Sequence, residues 1–315
     1  MKFKLKRDRD QEPRRKLTKK EIATRIWNDR VAYLMVLPYF ALFVCFTVIP
    51  VLISIFYSFT DFNMIQTPNF VWFDNYTRLF LRDDIFLIAI RNTVILAGVT
   101  GPIGYLLCFF FAWALNEFTP KVRAILTLMF YAPSISGNAF LVFTLLFSGD
   151  SYGFINAWLI KLGIVNSPIL WFQNAEYMMP LVIVVLLWTS LGTSFLNFIA
   201  GFQGVDRTYY EAAAVDGIRN RWQELWYVTL PLMKESLMFS AVMSITGAFS
   251  IGPTIDGLVG FPSTGYAVHT IMHHLNDYGG QRFEMGYASA IATLLFILMV
   301  ACNKVVQKLV RKVGN

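Results

Sequence analysis

YYEAAAVDGIRNRWQELWYVTLPLM, residues 209–233, interrupts a chain otherwise built from long apolar runs. Its first half is rich in small residues, and its second half carries charges of both signs. The chain around it is unusually apolar. Hydrophobic residues make up 56% of the sequence and charged residues 15%, with a mean hydropathy of +0.51. A soluble globule does not carry that balance. Runs of about 20 apolar residues, each able to cross roughly 30 Å of hydrocarbon, mark an integral membrane protein.

The runs predict an all-α membrane protein with six transmembrane helices, at 32–58, 89–115, 123–148, 178–203, 236–254 and 286–309. They are continuous and not alternating, which favours helices over a barrel, and each lipid-facing span has to satisfy its own backbone. Gly101-Pro102-Ile103-Gly104 is expected to break the second span, and Pro133 to bend the third. Lysines and arginines set the orientation. The tail to residue 30 carries 12, the 116–123 loop two, the 204–235 loop four and the C-terminal tail four; Arg78, Arg82, Lys161 and Arg282 lie on the other side. Both termini and the quoted stretch are therefore expected in the cytoplasm. The organisation is a basic N-terminal tail (1–31), a six-helix domain (32–309) containing the cytoplasmic loop 204–235, and a short C-terminal tail (310–315). The polar N-terminal segment does not read as a cleavable signal and is kept as mature protein. The net charge of +7 is a topology and lipid-headgroup signal, with no nucleic-acid motif beside it.

Cys45, Cys108 and Cys302 lie inside apolar runs without paired spacing and read as small core or lipid-facing residues. The outer loops 59–88, 149–177 and 255–285 hold Trp72, Phe73, Tyr76, Trp171, Phe172 and Tyr177. These suit an interfacial belt or a platform for an external partner.

Within the quoted stretch, Asp206 and Thr208 are both N-cap candidates, and Thr208 with Glu211 forms a capping-box pattern. Glu211-Ala212-Ala213-Ala214 starts a helix with little side-chain bulk, and Gly217 is a candidate C-cap. A second amphipathic segment follows, with Trp222, Leu225 and Trp226 on one side, and Pro231 closes it. The expected product is two short helices at the cytoplasmic surface. A bare alanine face permits docking into a groove; a helix lying on the headgroups is the other reading.

Glu211-Ala212-Ala213, Asp216-Gly217 and Leu230-Pro231 resemble the EAA motif of the membrane subunits of binding-protein-dependent ABC importers. The wording around it, including WYVTLPLM at 226–233, is similar to the carbohydrate-uptake branch of maltose and multiple-sugar type. Twelve residues separate Gly217 from Leu230, one more than the family spacing, which predicts a longer turn after Gly217. The resemblance implies an ABC importer permease fold in a bacterial cytoplasmic membrane, with a coupling helix at Glu211–Gly217 that docks on a separate ATPase. It implies a second homologous permease, two ATPase subunits carrying ATP and Mg, an extracytoplasmic solute-binding protein and a sugar substrate. The chain itself carries no G-x-x-x-x-G-K-[ST], so ATP is not expected to bind it in a P-loop, and no catalytic motif or cofactor is expected. His269, His273 and His274 have a spacing that a metal site uses, but no nearby acid or cysteine completes a ligand set, and no metal is expected.

Polar residues within spans usually face the bundle interior. Thr189, Thr193, Asn197 and Gly201 recur every four residues and are expected to form one seam, with Trp188 and Gly192 beside it. Tyr131, Ser134 and Asn138 share a face in the third span; Ser240, Ser244 and Gly247 form a stripe in the fifth. The substrate-pathway candidates are Tyr131, Asn138, Trp188, Thr193, Asn197 and Ser244. The alternative for the small ones is helix packing. No span core holds Asp, Glu or Lys, which argues against a stand-alone proton-coupled carrier. The rival readings are a stand-alone channel or secondary transporter, and an importer permease for a polyol or glycerol phosphate.

Overall fold

The computed structural model describes residues 28–311. The basic tail to residue 27 and the last four residues, on which part of the orientation argument rests, lie outside them. The chain divides into two units, residues 1–54 and 55–315. The first contains most of helix α1, Arg30–Tyr57, which carries a π-helical turn at Val44–Val48. Among its described residues, the second is helical throughout its regular structure, apart from an isolated bridge between Thr60 and Phe70.

Among the described residues, four helices are long and apolar enough to cross a membrane, or five if one bent pair is a single span. Besides α1 they include α3, Asp84–Asn116, preceded by the short helix α2, Asp74–Leu81. Helix α3 runs 33 residues through Pro102 without the expected break. The third apolar run is instead broken. Helix α4, Pro120–Ser136, continues through Pro133 and ends at Gly137, whose φ of +65° is open to glycine and strained for other residues. Helix α5, Leu141–Leu146, follows, and α6 is Phe154–Lys161.

The fourth run is α7, Ala175–Thr189, and α8, Thr193–Gly204, separated at Ser190–Gly192. A break inside a membrane frees carbonyls that water cannot reach. Neighbouring helices supply the donors. Ser134 Oγ lies 3.1 Å from the Thr189 carbonyl and 2.9 Å from that of Leu191, and Cys108 Sγ donates to the Ser190 carbonyl at 3.3 Å. The expected seam from Thr189 to Gly201 is therefore not continuous, because its two halves lie on separate helices.

The cytoplasmic-loop candidate folds as α9, Arg207–Val215, and α10, Arg221–Leu232. Helix α11, Lys234–Phe249, leaves α10 at an 81° bend. Helices α12, Gly252–Val259, and α13, Ile271–Asn276, precede α14, Met285–Val310.

Within lipid, helices associate by close packing and not by expulsion of water. Phe109, Phe195, Phe198 and Phe202 of α3 and α8 form one core with Leu225 and Leu230 of α10. Phe109 meets the Phe198 ring edge-on at 5.3 Å, a geometry worth about 1 kcal/mol beyond burial. A second core joins α2, α3, α11, α13 and α14, and a third joins α3, α7 and α12. Small residues allow the approach: a Cβ on Gly104 would sit 3.1 Å from Ser190 Cβ.

The loops are tied down by buried amides. Asn75 donates to the Ser58 and Thr60 carbonyls, and Asn92 to those of Tyr266 and His269. Asn156 donates to the carbonyls of Ser148, Asp150 and Ile169 and accepts from Trp171 Nε1. Among the loop aromatics, Trp72 and Phe73 are exposed. Tyr76 donates to Ser58 Oγ, and Trp171 packs against Tyr177.

Candidate functional site

The quoted stretch folds as two short helices set by their caps. Asp206, not Thr208, caps α9: its carboxylate accepts the Thr208 N–H at 3.0 Å. The Thr208–Glu211 capping box is absent because Thr208 lies inside the first turn. At the other end the Ile218 N–H reaches the Ala213 carbonyl and the Gly217 N–H that of Ala214. With Gly217 at φ +94° this is a Schellman closure, which glycine accommodates without strain. Ala213 is buried; Glu211, Ala212, Asp216 and Gly217 face outward. Val215 is 88% exposed at the helix end. That protruding residue is not marked by the sequence pattern; its one signal is a β-branched side chain closing an alanine run.

Asn220 caps α10 by accepting the Gln223 N–H at 2.8 Å. The helix passes into a π-helical turn at Leu225–Thr229. A π turn holds more residues than an α turn, and this one lies within the Gly217–Leu230 interval. Leu225, Val228, Thr229 and Leu230 are buried, whereas Trp222 and Trp226 are exposed and so do not share a face with Leu225. Pro231 lies in the last turn, directly before the 81° bend. Tyr210 Oη and Thr229 Oγ1 share a 2.9 Å hydrogen bond that joins α9 to α10.

The helix breaks enclose a second feature, a cleft of about 530 Å³ between α3, α4, α7, α8, α11 and α12. Its wall is rich in hydroxyls, including Ser134, Thr189, Thr193, Ser244, Ser250 and Thr254, and none of the described residues that line it is charged. Thr100 and Tyr105 also contribute, from a span in which no pathway residue was expected; the Thr100-to-Gly104 spacing is the one available signal. Of the pathway candidates, Thr193 and Ser244 line this cleft. Tyr131 lines a separate cleft of about 400 Å³ with Arg123 and Gln203. Asn138 is exposed just past Gly137. Trp188 packs edge-on against Phe143 at 5.0 Å. The Asn197 amide donates to the Ser236 carbonyl and Ser240 Oγ, both at 2.9 Å, so its donors serve the α8–α11 contact.

Two of the histidines meet acids from elsewhere in the chain. His274 Nε2 is 3.0 Å from Asp83 Oδ2, and Tyr287 Oη donates to the same oxygen at 2.7 Å. His273 Nδ1 accepts the Thr270 N–H, which leaves its proton on Nε2, 3.1 Å from Asp256 Oδ1. His269 Nε2 lies 3.3 Å from His274 Nδ1, and its own Nδ1 has no partner. Burial, with the charges of His273 and His274, pushes His269 down to about 3. Burial also lowers His273, against the pull of Asp256. Burial alone would raise the Asp83 carboxyl; hydrogen bonds from His274, Tyr287 and the Phe86 N–H outweigh it and hold the group well below the ordinary carboxylate range. No three His, Cys, Asp or Glu side chains among the described residues are placed to hold a metal ion. The cluster is a strut that ties segment 269–274 to the starts of α3 and α14.

No protein-family model matches the chain. Among curated proteins it is 34% identical over 283 residues to "Probable ABC transporter permease protein YesP" of Bacillus subtilis (strain 168), covering 87% of this chain and 88% of that protein. It is 30% identical over 230 residues to "Lactose transport system permease protein LacF" of Rhizobium radiobacter, covering 71% and 74%. It is 30% identical over 283 residues to "Arabinooligosaccharides transport system permease protein AraP" of Bacillus subtilis (strain 168), covering 88% and 87%. Among solved structures, a chain of a bacterial ABC transporter involved in the import of the acidic polysaccharide alginate superposes with a TM-score of 0.73 at 22% identity, covering 93% of this chain and 99% of that one. The fold is thus that of an ABC importer permease, and with a relative matched at this identity over nearly nine-tenths of its length, the chain belongs to the ABC transporter permease family.

Proposed function

We propose that this chain is the multi-pass membrane subunit of a bacterial sugar importer, and that it forms part of the translocation pathway for an uncharged sugar or oligosaccharide. The observation that carries the reading is the pairing of two features in one fold: an outward-facing, cap-locked EAA helix and an uncharged, hydroxyl-lined cleft at helix breaks. Hydroxyls and freed carbonyls suit the hydroxyls of a neutral sugar. A phosphorylated solute calls for a cation, and none lines the cleft.

In this reading the chain crosses the cytoplasmic membrane six times with both termini inside. The broken run Pro120–Leu146 supplies one crossing, and Lys234–Phe249 with its extension another. Residues 1–31 form a basic cytoplasmic tail, 32–309 the permease domain and 310–315 a short tail. Helix α9 docks on one of two ATPase subunits, which bind ATP and Mg. A second permease subunit completes the pathway, and an external binding protein delivers the sugar. Glu211, Ala212, Ala213, Asp216, Gly217, Leu230 and Pro231 form the coupling element. Thr193 and Ser244 line the path, with Tyr131, Asn138, Trp188 and Asn197 placed along or behind it. ATP-driven closure of the ATPase pair moves α9 and opens the cleft outward; hydrolysis resets it. Coupling requires that the two states differ in their contacts with the ATPase.

The test is Glu211→Lys in cells that depend on this transporter for sugar uptake. The variant is expected to insert normally and to lose uptake. Normal uptake by Glu211→Lys would remove α9 from the coupling role.

A further inference from the structure

Helix α10 holds the far end of α3 through two adjacent residues. The Arg221 guanidinium reaches Glu117, the residue after the last turn of α3, at 2.8 Å, and Glu224 within its own helix, also at 2.8 Å. The Trp222 ring packs 4.9 Å from that of Trp113 and 6.4 Å from that of Phe110. Positions 110, 113 and 117 follow the i, i+3, i+7 spacing, so α10 grips one face of α3. The same helix forms the cleft wall at Thr100–Tyr105. Glu117 is about 20 Å from that wall along an unbroken helix, at 1.5 Å per residue.

We propose that Arg221 is a positioning residue that carries movement of the EAA helix to the cleft through α3, a route through space beside the covalent one from α10 to α11. The inference rests on the ATPase-coupling reading above. The route is contiguous: α9 connects to α10 through Tyr210 and Thr229, α10 to α3 through Arg221 and Glu117, and α3 to the cleft. The covalent route bends by 81° at Met233, so a push on α10 is not directed along α11. Stability does not account for the ion pair. Arg221 is 63% and Glu117 45% exposed in their side chains, and exposed pairs contribute little to folding. A planar guanidinium bridging two carboxylates through separate nitrogens does, however, fix direction, which an ammonium does less well.

The test uses the complete transporter, purified with its ATPase subunits and reconstituted in vesicles, with sugar uptake and ATP hydrolysis measured together. Arg221→Gln and Glu117→Gln are each expected to lower uptake roughly 2- to 30-fold, the range for residues within a coupling network. The ATPase should remain bound, and hydrolysis should be less responsive to the loaded binding protein. Arg221→Lys should recover part of the uptake, and the Glu117→Arg/Arg221→Glu pair most of it. Unchanged uptake in both glutamine variants overturns the proposal. So does loss of the ATPase from Arg221→Gln, which would make Arg221 a docking contact. Failure of the underlying reading has a separate signature: Glu211→Lys would then retain both the ATPase and uptake.

Discussion

Replacing Asp83 by alanine tests the strut between the long loops and the spans. The carboxylate accepts three hydrogen bonds: from the Phe86 N–H at 2.9 Å, from His274 at 3.0 Å and from Tyr287 at 2.7 Å. Loss of the N-cap bond costs about 1 kcal/mol. His274 and Tyr287 are 1% and 2% exposed, so solvent does not replace the lost acceptor. Each of the two stranded donors adds about 1–3 kcal/mol, and the sum is about 3–7 kcal/mol for Asp83→Ala. At roughly 2–4 °C per kcal/mol for a chain of comparable size, the unfolding midpoint should fall by about 10 °C. Tyr287→Phe removes one donor and leaves Asp83 two, so its cost is about 1 kcal/mol. The assay is thermal unfolding of detergent-purified protein followed by tryptophan fluorescence, with limited proteolysis of segment 261–284 as a local readout. If Asp83→Ala melts within a degree of Tyr287→Phe, the carboxylate is not the hub, and the reasoning fails.

The same cluster makes stability depend on pH. An unfolded His269 titrates near 6.5, whereas the folded one is held down to about 3. Below pH 6.5 the unfolded chain takes up a proton that the folded chain refuses, so stability is full above that pH and falls toward pH 3. The loss at pH 5 is about 2 kcal/mol, and His269→Gln should flatten the melting curve against pH between 6.5 and 5. Unaltered pH dependence in that variant would contradict the assignment. Gly286→Ala should destabilise by about 2–4 kcal/mol, because the new Cβ would overlap the backbone carbonyl of Thr60 beside the Gly286–Phe62 hydrogen bond. A melting point equal to that of the unsubstituted protein would show that the 59–63 turn moves freely.

The sequence exposes what is local. The first, second and sixth apolar runs lie where the long helices α1, α3 and α14 form, and the stop at Gly217 follows from its φ of +94°, a conformation glycine adopts without strain. The helix breaks are not legible because other helices maintain them. Ser190–Gly192 stays open because Ser134 and Cys108 satisfy its carbonyls across the bundle, and Pro102 is tolerated inside a helix packed on several sides. A proline pattern alone therefore puts the interruptions in the wrong places. The histidine cluster is hidden for a similar reason: its acid partner Asp83 is 191 positions from His274. The cleft hydroxyls were visible as polar residues in apolar runs, but their grouping was not. Asn197 faces a packing contact with Ser236 and Ser240, while Thr100, on a different span, reaches the cleft.

The central claim is that α9 is a docking helix for an ATPase. The most direct measurement is a mild-detergent pull-down of the tagged full chain from its native membranes, with mass spectrometry of what accompanies it, run in parallel with Glu211→Lys. The account predicts a P-loop ATPase, a second permease chain and an external binding protein with the unsubstituted chain, and loss of the ATPase with the variant. A chain that emerges alone or only with copies of itself, even after crosslinking, would contradict it.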